Sequence, residues 1–283
     1  MPVDYRAPNI NARRLGMHLR QLREALELSY DAAAVQVGCD VMWLIRLETG
    51  FEQVTPEQVR TVLDRYNIPR HKIRAILVDL ASRTKGPPWL GAHVGRLKAL
   101  VRDLITLESE ASTMHTFGIH LMPELVRTEA YARLFLEQQV PEVDVEAEWD
   151  LLYSRQQHRP GGRRRTLDVI VDENTLTLPL PPAVMRGQLE HLLELADGLH
   201  GTVRVIPMSV GAHPGLEGAF DVMEFPDIKE RVSMVHGALG IDLARIDLSE
   251  VWQLLEQVAL PPADSRTMIT RVVENLPAGD DPA

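Results

Sequence analysis

Apolar side chains recur at helical spacing through the first third of the chain. Leu15, Leu19, Leu22 and Leu26 follow at i, i+4, i+7 and i+11, one apolar face with arginines opposite, and predict a first helix through this stretch. Ser29 is placed to cap a second short helix, Tyr30 to Val37, in which Ala32, Ala33 and Ala34 permit close approach by a neighbour. Gly38 supplies a tight turn, Asp40 caps a third helix from Val41 to Glu48, and Thr49-Gly50 ends it. Thr55-Pro56-Glu57-Gln58 is a capping box with proline at the first helical position, opening a fourth helix to about Tyr66. A fifth runs from about Arg70 to Arg83. Two short helices around a glycine turn, inside a five-helix unit, form a helix-turn-helix arrangement.

Thr84-Lys85-Gly86-Pro87-Pro88 cannot continue a helix, since proline lacks the donor and glycine favours turns. Beyond it the period changes. A long helix is expected from Val94 to Ser112 on Leu97, Leu100, Val101, Leu104 and Leu107. Thr128 caps a helix from Glu129 to Gln139, and Asp144 caps one running to His158. Leu167, Val169 and Val171 alternate, so 165–172 reads as a strand; a helix follows from about Ala183 to Leu199. Strands are expected near 202–207, 218–225 and 231–236, and helices over 243–258 and 264–276. The fold class is therefore multidomain. An all-α five-helix helix-turn-helix domain covers 1–85, a linker 86–92, an α+β domain with a small sheet 93–276, and a frayed tail 277–283.

Composition agrees with two domains at 283 residues, and a single cysteine, Cys39, excludes an internal disulfide and a cysteine-based zinc cage. The first residues lack the apolar stretch of a signal peptide, and no run is long enough to span a membrane, so a reducing cytoplasm is the expected location. The net charge of −10 argues against nucleic acid until the chain is split. Residues 1–85 carry 13 basic and 10 acidic side chains, a net of +3; the remainder carries 17 and 30, a net of −13. That asymmetry hints at a nucleic-acid-facing module joined to something else.

The spacing Leu22-Arg23-x4-Leu28-Ser29-x4-Ala34-x3-Gly38-x5-Leu44-x2-Leu47-Glu48-x-Gly50 resembles the repressor-type helix-turn-helix of the xenobiotic-response-element family. The resemblance implies a pairing of Arg23 with Glu48, which would tie the first helix to the end of the recognition helix. It also implies base-edge contacts at Tyr30, Val41, Met42 and Arg46. The sequence departs from the family in two ways: Glu27 stands where glycine is usual, in a turn that would put it in the left-handed region, and Trp43 and Ile45 replace polar outward residues. Of the base-reading positions only Arg46 offers the hydrogen-bonding chemistry that guanine wants, whereas Val41 or Met42 could touch a thymine methyl. Phosphate contacts are expected from Arg13, Arg14, Arg20 and Arg46, with Asp40 and Trp43 on the same surface. The apolar face is equally suited to protein contact, through self-association or docking on the second domain, or to packing on a neighbouring helix.

A second resemblance covers the rest of the chain. Leu121-Met122-Pro123-Glu124-Leu125-Val126-Arg127-Thr128-Glu129-x-Tyr131-Ala132 looks like the isoleucine-proline-glycine-leucine-leucine-glutamine-threonine…tyrosine-alanine signature of actinobacterial regulators. These join such a helix-turn-helix to an uncharacterised effector domain and are often called toxin–antitoxin-like. Arg155-Gln156, Val171-Asp172-Glu173-x2-Leu176, Gln188-Leu189-x2-Leu192, Val205-Ile206-Pro207, Gly211-x-His213 and Gly218-x-Phe220 match later parts in order. Met122-Pro123-Glu124 departs from the usual proline-glycine step, and Val235-His236 stands where a tyrosine-valine-glutamate-like run is common. The resemblance implies double-stranded DNA as a partner, a homodimer, a small acidic partner protein, and a small-molecule effector.

A search for chemistry finds little. The histidines show no two-His-plus-acid helix motif, no serine sits in a nucleophile elbow, and Gly211–Gly218 matches no phosphate-loop spacing, so neither catalysis, metal nor cofactor is expected. Asp221 and Glu224 lie on opposite faces of a strand. The Gly211–Gly218 loop with His213, Glu217 and Phe220, together with Trp149, Tyr153, Arg155 and Gln156, is the candidate ligand or partner site. Arg163-Arg164-Arg165 is the strongest basic cluster in the acidic part, read as a solvated loop flank or a contact for phosphate or an acidic partner. The leading function is a DNA-binding transcriptional regulator with a ligand- or partner-binding second domain. The alternative is an antitoxin-like interaction module that uses its helix-turn-helix face for protein contact.

Overall fold

A computed structural model describes residues 9–69, 71–83, 86–138, 144–158, 166–198, 201–225, 231–237, 240–244 and 246–277. The basic cluster at 163–165, the tail beyond 277 and the start of the chain lie outside these residues. The chain folds as two compact units, Met1–Leu107 and Glu108–Ala283.

The first unit holds α1 (Ile10–Ala25), α2 (Tyr30–Val37), α3 (Val41–Glu48), α4 (Pro56–Arg65) and α5 (His71–Ser82). The caps fall where the side-chain chemistry puts them. Ser29 accepts from Ala32 N, Asp40 accepts from Met42 N and Trp43 N, and Thr55 and Gln58 close a reciprocal capping box. Gly38 takes the left-handed conformation at φ 81°, which an L side chain would resist. Glu27 sits at φ 55°, so the turn after α1 does carry a non-glycine residue in the left-handed region.

The buried face of α1 is turned relative to the leucine stripe. Asn9 starts the helix early, and Ile10, Asn11, Arg14, Leu15, Gly16, Leu19 and Arg23 are buried, whereas Leu26 is 41% exposed. The cause is α3. A Cβ on Gly16 would stand 2.5 Å from the Glu48 carbonyl oxygen and 2.6 Å from that of Leu47, so a bare Cα is what lets the two helices touch.

The first unit also extends past the expected boundary at residue 85. Pro88 opens a 3-10 turn (Pro88–Ala92), a second follows over Val94–Arg96, and α6 (Ala99–Glu110) comes only then, in place of one helix from Val94 to Ser112. Leu90 and Leu97 are buried, Ile10 N donates to Asp103 Oδ1 at 2.9 Å, and Asn11 Nδ2 donates to the Arg83 carbonyl. Residues 86–107 are thus part of the first unit's packing, which proline and glycine alone did not reveal.

The second unit is built on a six-stranded mixed sheet in the order β3-β2-β1-β4-β5-β6. Its strands are β1 (Thr113–Gly118), β2 (Thr166–Asp172), β3 (Val203–Ile206), β4 (Ala219–Glu224), β5 (Arg231–Gly237) and β6 (Gly240–Leu243). β1, β2 and β3 run parallel, linked by helical crossovers through α7 (Glu129–Leu136) and α8 (Val145–Gln157), then α9 (Pro182–Gly198); β4, β5 and β6 are antiparallel. Thr128 and Asp144 cap α7 and α8 as their side chains predict. α10 (Ser249–Val258) and α11 (Pro262–Asn275) complete the unit.

One sheet face packs Phe117, Ile170, Ile206, Phe220 and Val222 against Trp252 and Leu255 of α10. Arg204 fixes that helix by donating to the carbonyls of Glu256, Ala259 and Leu260. By strand alternation the opposite face carries Met114, Thr116, Val169, Val171, Val205, Asp221 and Met223.

Candidate functional site

The helix-turn-helix is held by one buried clasp. Arg23 Nε and Nη2 donate to the two carboxylate oxygens of Glu48 at 2.7 and 2.9 Å, and Nη1 donates to the Leu28 carbonyl at 2.8 Å. The two side chains are 7% and 0% exposed. Bidentate geometry makes this a stiff link between the end of α1 and the end of α3. Tyr30 belongs to the clasp: the Arg23 guanidinium lies 4.0 Å above its ring. A base-edge contact by Tyr30 therefore competes with this stacking.

With its end anchored, α3 turns Leu44 and Leu47 inward and leaves Met42 56% exposed, with Val41, Trp43 and Ile45 half-buried. Asp40 Oδ1 accepts from Met42 N at 2.8 Å and Trp43 N at 3.1 Å, so this carboxylate is first of all the N-cap of α3.

The arginines expected on phosphate are less free than the sequence implies. Arg14 is 5% exposed, with Nη1 donating to Asn11 Oδ1, so it is packed inside the unit and is withdrawn as a phosphate contact. Arg13 pairs with Asp103, Arg20 with Glu24 at 2.7 Å, and Arg46 with Glu52 at 2.8 Å. Arg20 and Arg46 remain solvent-accessible and can trade a carboxylate for a phosphate, because such exposed pairs contribute little; Arg13 is accessible too, but its partner Asp103 is buried, so giving up that pair strands a carboxylate. Cys39, in the α2–α3 turn, is half-buried, and burial pushes its thiol up.

In the second unit the residues expected to share one site are split between the two faces of the sheet. His213 and Phe220 lie with Phe117 on the α10 face. His213 Nε2 is 3.1 Å from Asp172 Oδ2, both side chains are buried, and among the described residues the histidine's Nδ1 has no hydrogen-bond partner. Arg155 is on the other side. It donates to Glu108 at 2.9 and 2.6 Å and to Glu124 at 2.6 Å, and Gln156 Nε2 donates to the carbonyls of Glu124 and Arg127. Trp149 and Tyr153 on α8 lie tilted to each other with ring centroids 5.9 Å apart, and Glu217 is exposed. A single ligand pocket from these seven residues is therefore not formed.

The signature around residues 121–132 has a structural role instead. Tyr131 Oη accepts from Met122 N, Arg127 Nε donates to the Met122 carbonyl, and Gln188 of α9 accepts from Thr128 N while donating to the Val126 carbonyl. Together with Gln156 they satisfy the backbone of an irregular segment entering α7. Its Met122-Pro123-Glu124 step places Glu124 against Arg155. Burial opposes the charge on Glu124, but Arg155 and Arg127 outweigh it and hold the carboxyl down to about 2.

Two cross-strand pairs escaped the sequence reading. His115 of β1 lies 3.2 Å from Asp168 of β2, and His236 of β5 lies 2.6 Å from Asp221 of β4. Burial alone would lower His236, but Asp221 and then Glu124 raise it above the ordinary value, with Arg155 opposing. The signal was a His and an Asp on successive strands, invisible for β1 because that strand was not recognised. Among the described residues no group of three or more His, Cys, Asp or Glu side chains converges as a metal cage would require, and no helix is long and apolar enough to cross a membrane.

Residues 14–76 match the family model of a helix-turn-helix domain, which supports DNA binding by the first unit. No curated protein and no solved structure matches the chain. Residues 101–271, more than half the chain, match the model of the domain of unknown function DUF5753, and the protein belongs to that family.

Proposed function

We propose that the chain is a transcriptional regulator of the xenobiotic-response-element type. In this reading it acts as a cytoplasmic homodimer, and its second unit binds a small-molecule effector or a small acidic partner protein that alters DNA binding. The observation that carries it is the Arg23–Glu48 clasp, which anchors the end of α3 and leaves Val41, Met42 and Arg46 directed outward from the helix-turn-helix. Paired half-sites one DNA turn apart are the usual demand on such heads, which is why two copies are invoked. The reading assigns no reaction to the chain. Gel retardation of duplex from its own upstream region, with a salt titration and Arg46→Ala, tests it. Retardation that weakens with salt and with the substitution supports the proposal; no retardation at low salt overturns it.

A second reading, an antitoxin-like interaction module, is favoured by a specific feature. Met42 on α3 and Phe51 just beyond it are exposed, as are Asp31 on α2 and Asp40 in the turn before α3, a mixture suited to protein contact. Met42→Glu would then abolish an association that size-exclusion chromatography detects without DNA.

A further inference from the structure

The outward surface of α3 is short of groups that can read a base by hydrogen bonding. Guanine is read by arginine, adenine by asparagine or glutamine, cytosine by a carboxylate; thymine alone presents a methyl. The helix spells Val41-Met42-Trp43-Leu44-Ile45-Arg46-Leu47-Glu48 and contains no amide or hydroxyl side chain. Leu44 and Leu47 point inward, and Glu48 is consumed by Arg23. Arg46, near the far end of the helix, has its Nε on Glu52. The first turn, which enters the groove first in this architecture, therefore offers half-buried Val41 and the exposed thioether of Met42.

The charge around that turn points the same way. Asp40 keeps both of its cap bonds on Oδ1, and Asp31 is exposed on α2. Carboxylates beside the groove floor disfavour the acceptor-rich edge of guanine. An amino donor is presented by adenine and by cytosine alike, so the methyl contact is what singles out A·T. Methionine, unbranched and polarisable, adapts to a methyl group better than any other side chain on this face.

We propose that the first unit selects its DNA through thymine 5-methyl groups in the major groove, touched by Met42 and Val41. This rests on the DNA-binding reading above and supplies the base chemistry that reading leaves open. The probe is a duplex enriched from a randomised pool on the full-length protein at low salt. It is compared with the same duplex carrying deoxyuridine for thymidine, which pairs identically and lacks only the methyl. Each contacted methyl removed is expected to weaken binding about fourfold. Met42→Ala, a change at an exposed position checked by circular dichroism, is expected to shrink the difference between the two duplexes, and Met42→Ala combined with Val41→Ala to abolish it. Met42→Gln is expected to shift the enriched base at that position towards adenine.

Equal binding of the thymine and uracil duplexes by the unaltered protein, or retention of the pool without enrichment, overturns the proposal while DNA binding stands. An undiminished uracil penalty in Met42→Ala combined with Val41→Ala overturns the assignment to these residues. Failure to retain any duplex at low salt overturns the DNA-binding reading and this proposal with it, and a dimer lost in Met42→Glu would then identify a second copy as the occupant.

Discussion

At the level of single side chains, two ionic groupings carry consequences that differ in kind. Arg23 and Glu48 are almost wholly removed from water and satisfy each other with two hydrogen bonds. Truncating one partner strands a buried charge, at a cost of about 3–5 kcal/mol. Glu48→Ala should therefore lower the unfolding free energy of the first unit by about 3 kcal/mol in urea, whereas Arg23→Met with Glu48→Leu should cost much less. A loss below about 1 kcal/mol in Glu48→Ala would mean that the clasp orients α3 without stabilising it. His236 answers to pH. Its folded-state pKa lies above the ordinary 6.5 because Asp221 and Glu124 outweigh burial. Its stabilising contribution is thus complete below the unfolded value and disappears as pH rises through the folded one. His236→Gln should be most destabilising in acid, below about pH 6, and should approach the unaltered protein in alkaline buffer. Urea midpoints measured across that range would reveal the opposite slope if the pairing with Asp221 were not formed in solution.

At the level of elements, α3 and its contacts explain both what could be read from the sequence and what could not. Caps are local chemistry: Ser29, Asp40, Thr55, Thr128 and Asp144 each sit one residue before the helix they begin. They were legible because a side-chain oxygen needs only the next few N–H groups. β1 was not legible. It is one of the two central strands of the sheet, flanked on both sides and largely buried, so Met114, Phe117 and Gly118 show no in–out alternation. β6 failed for the opposite reason, being a four-residue edge strand with little buried surface. The expected ligand site failed with β1, since without that strand nothing indicated that His213 and Arg155 belong to opposite faces. The burial of Arg14 was hidden because α3 turns the buried face of α1 away from the leucine stripe, which apolar spacing alone does not show. For α3 itself, Asp40 serves as cap and as local negative charge, and two substitutions separate these roles. Asp40→Ala should cost about 1 kcal/mol of stability through loss of the cap. Asp40→Asn keeps an accepting oxygen, so stability should hold while affinity for DNA rises as a negative charge leaves the groove side. Weaker binding by Asp40→Asn would mark that carboxylate as a direct acceptor from a base.

At the level of the whole molecule, charge decides how DNA binding must work. A total of −10 describes two unlike segments: +3 over the first 85 residues and −13 over the rest. Even the favourable segment is weakly attractive, because the accessible arginines expected on phosphate are already paired in place: Arg13 with Asp103, Arg20 with Glu24 and Arg46 with Glu52. Each phosphate contact therefore requires an exchange of partners and leaves a carboxylate near the DNA. If Arg20 and Arg46 make the exchange, log K should fall against log salt with a slope of about −2 per head, shallow for a DNA-binding protein. The carboxylates then act as competitors, and Glu24→Gln and Glu52→Gln should each raise affinity at low salt by several-fold in gel retardation. Glu52 is the more informative of the two, since its partner belongs to the recognition helix. Were Glu52→Gln to weaken binding, the Arg46–Glu52 pair would be a positioning device that aims the guanidinium at the groove. The arginine would then have to be counted with Met42 among the residues that read sequence, and not with those that hold phosphate.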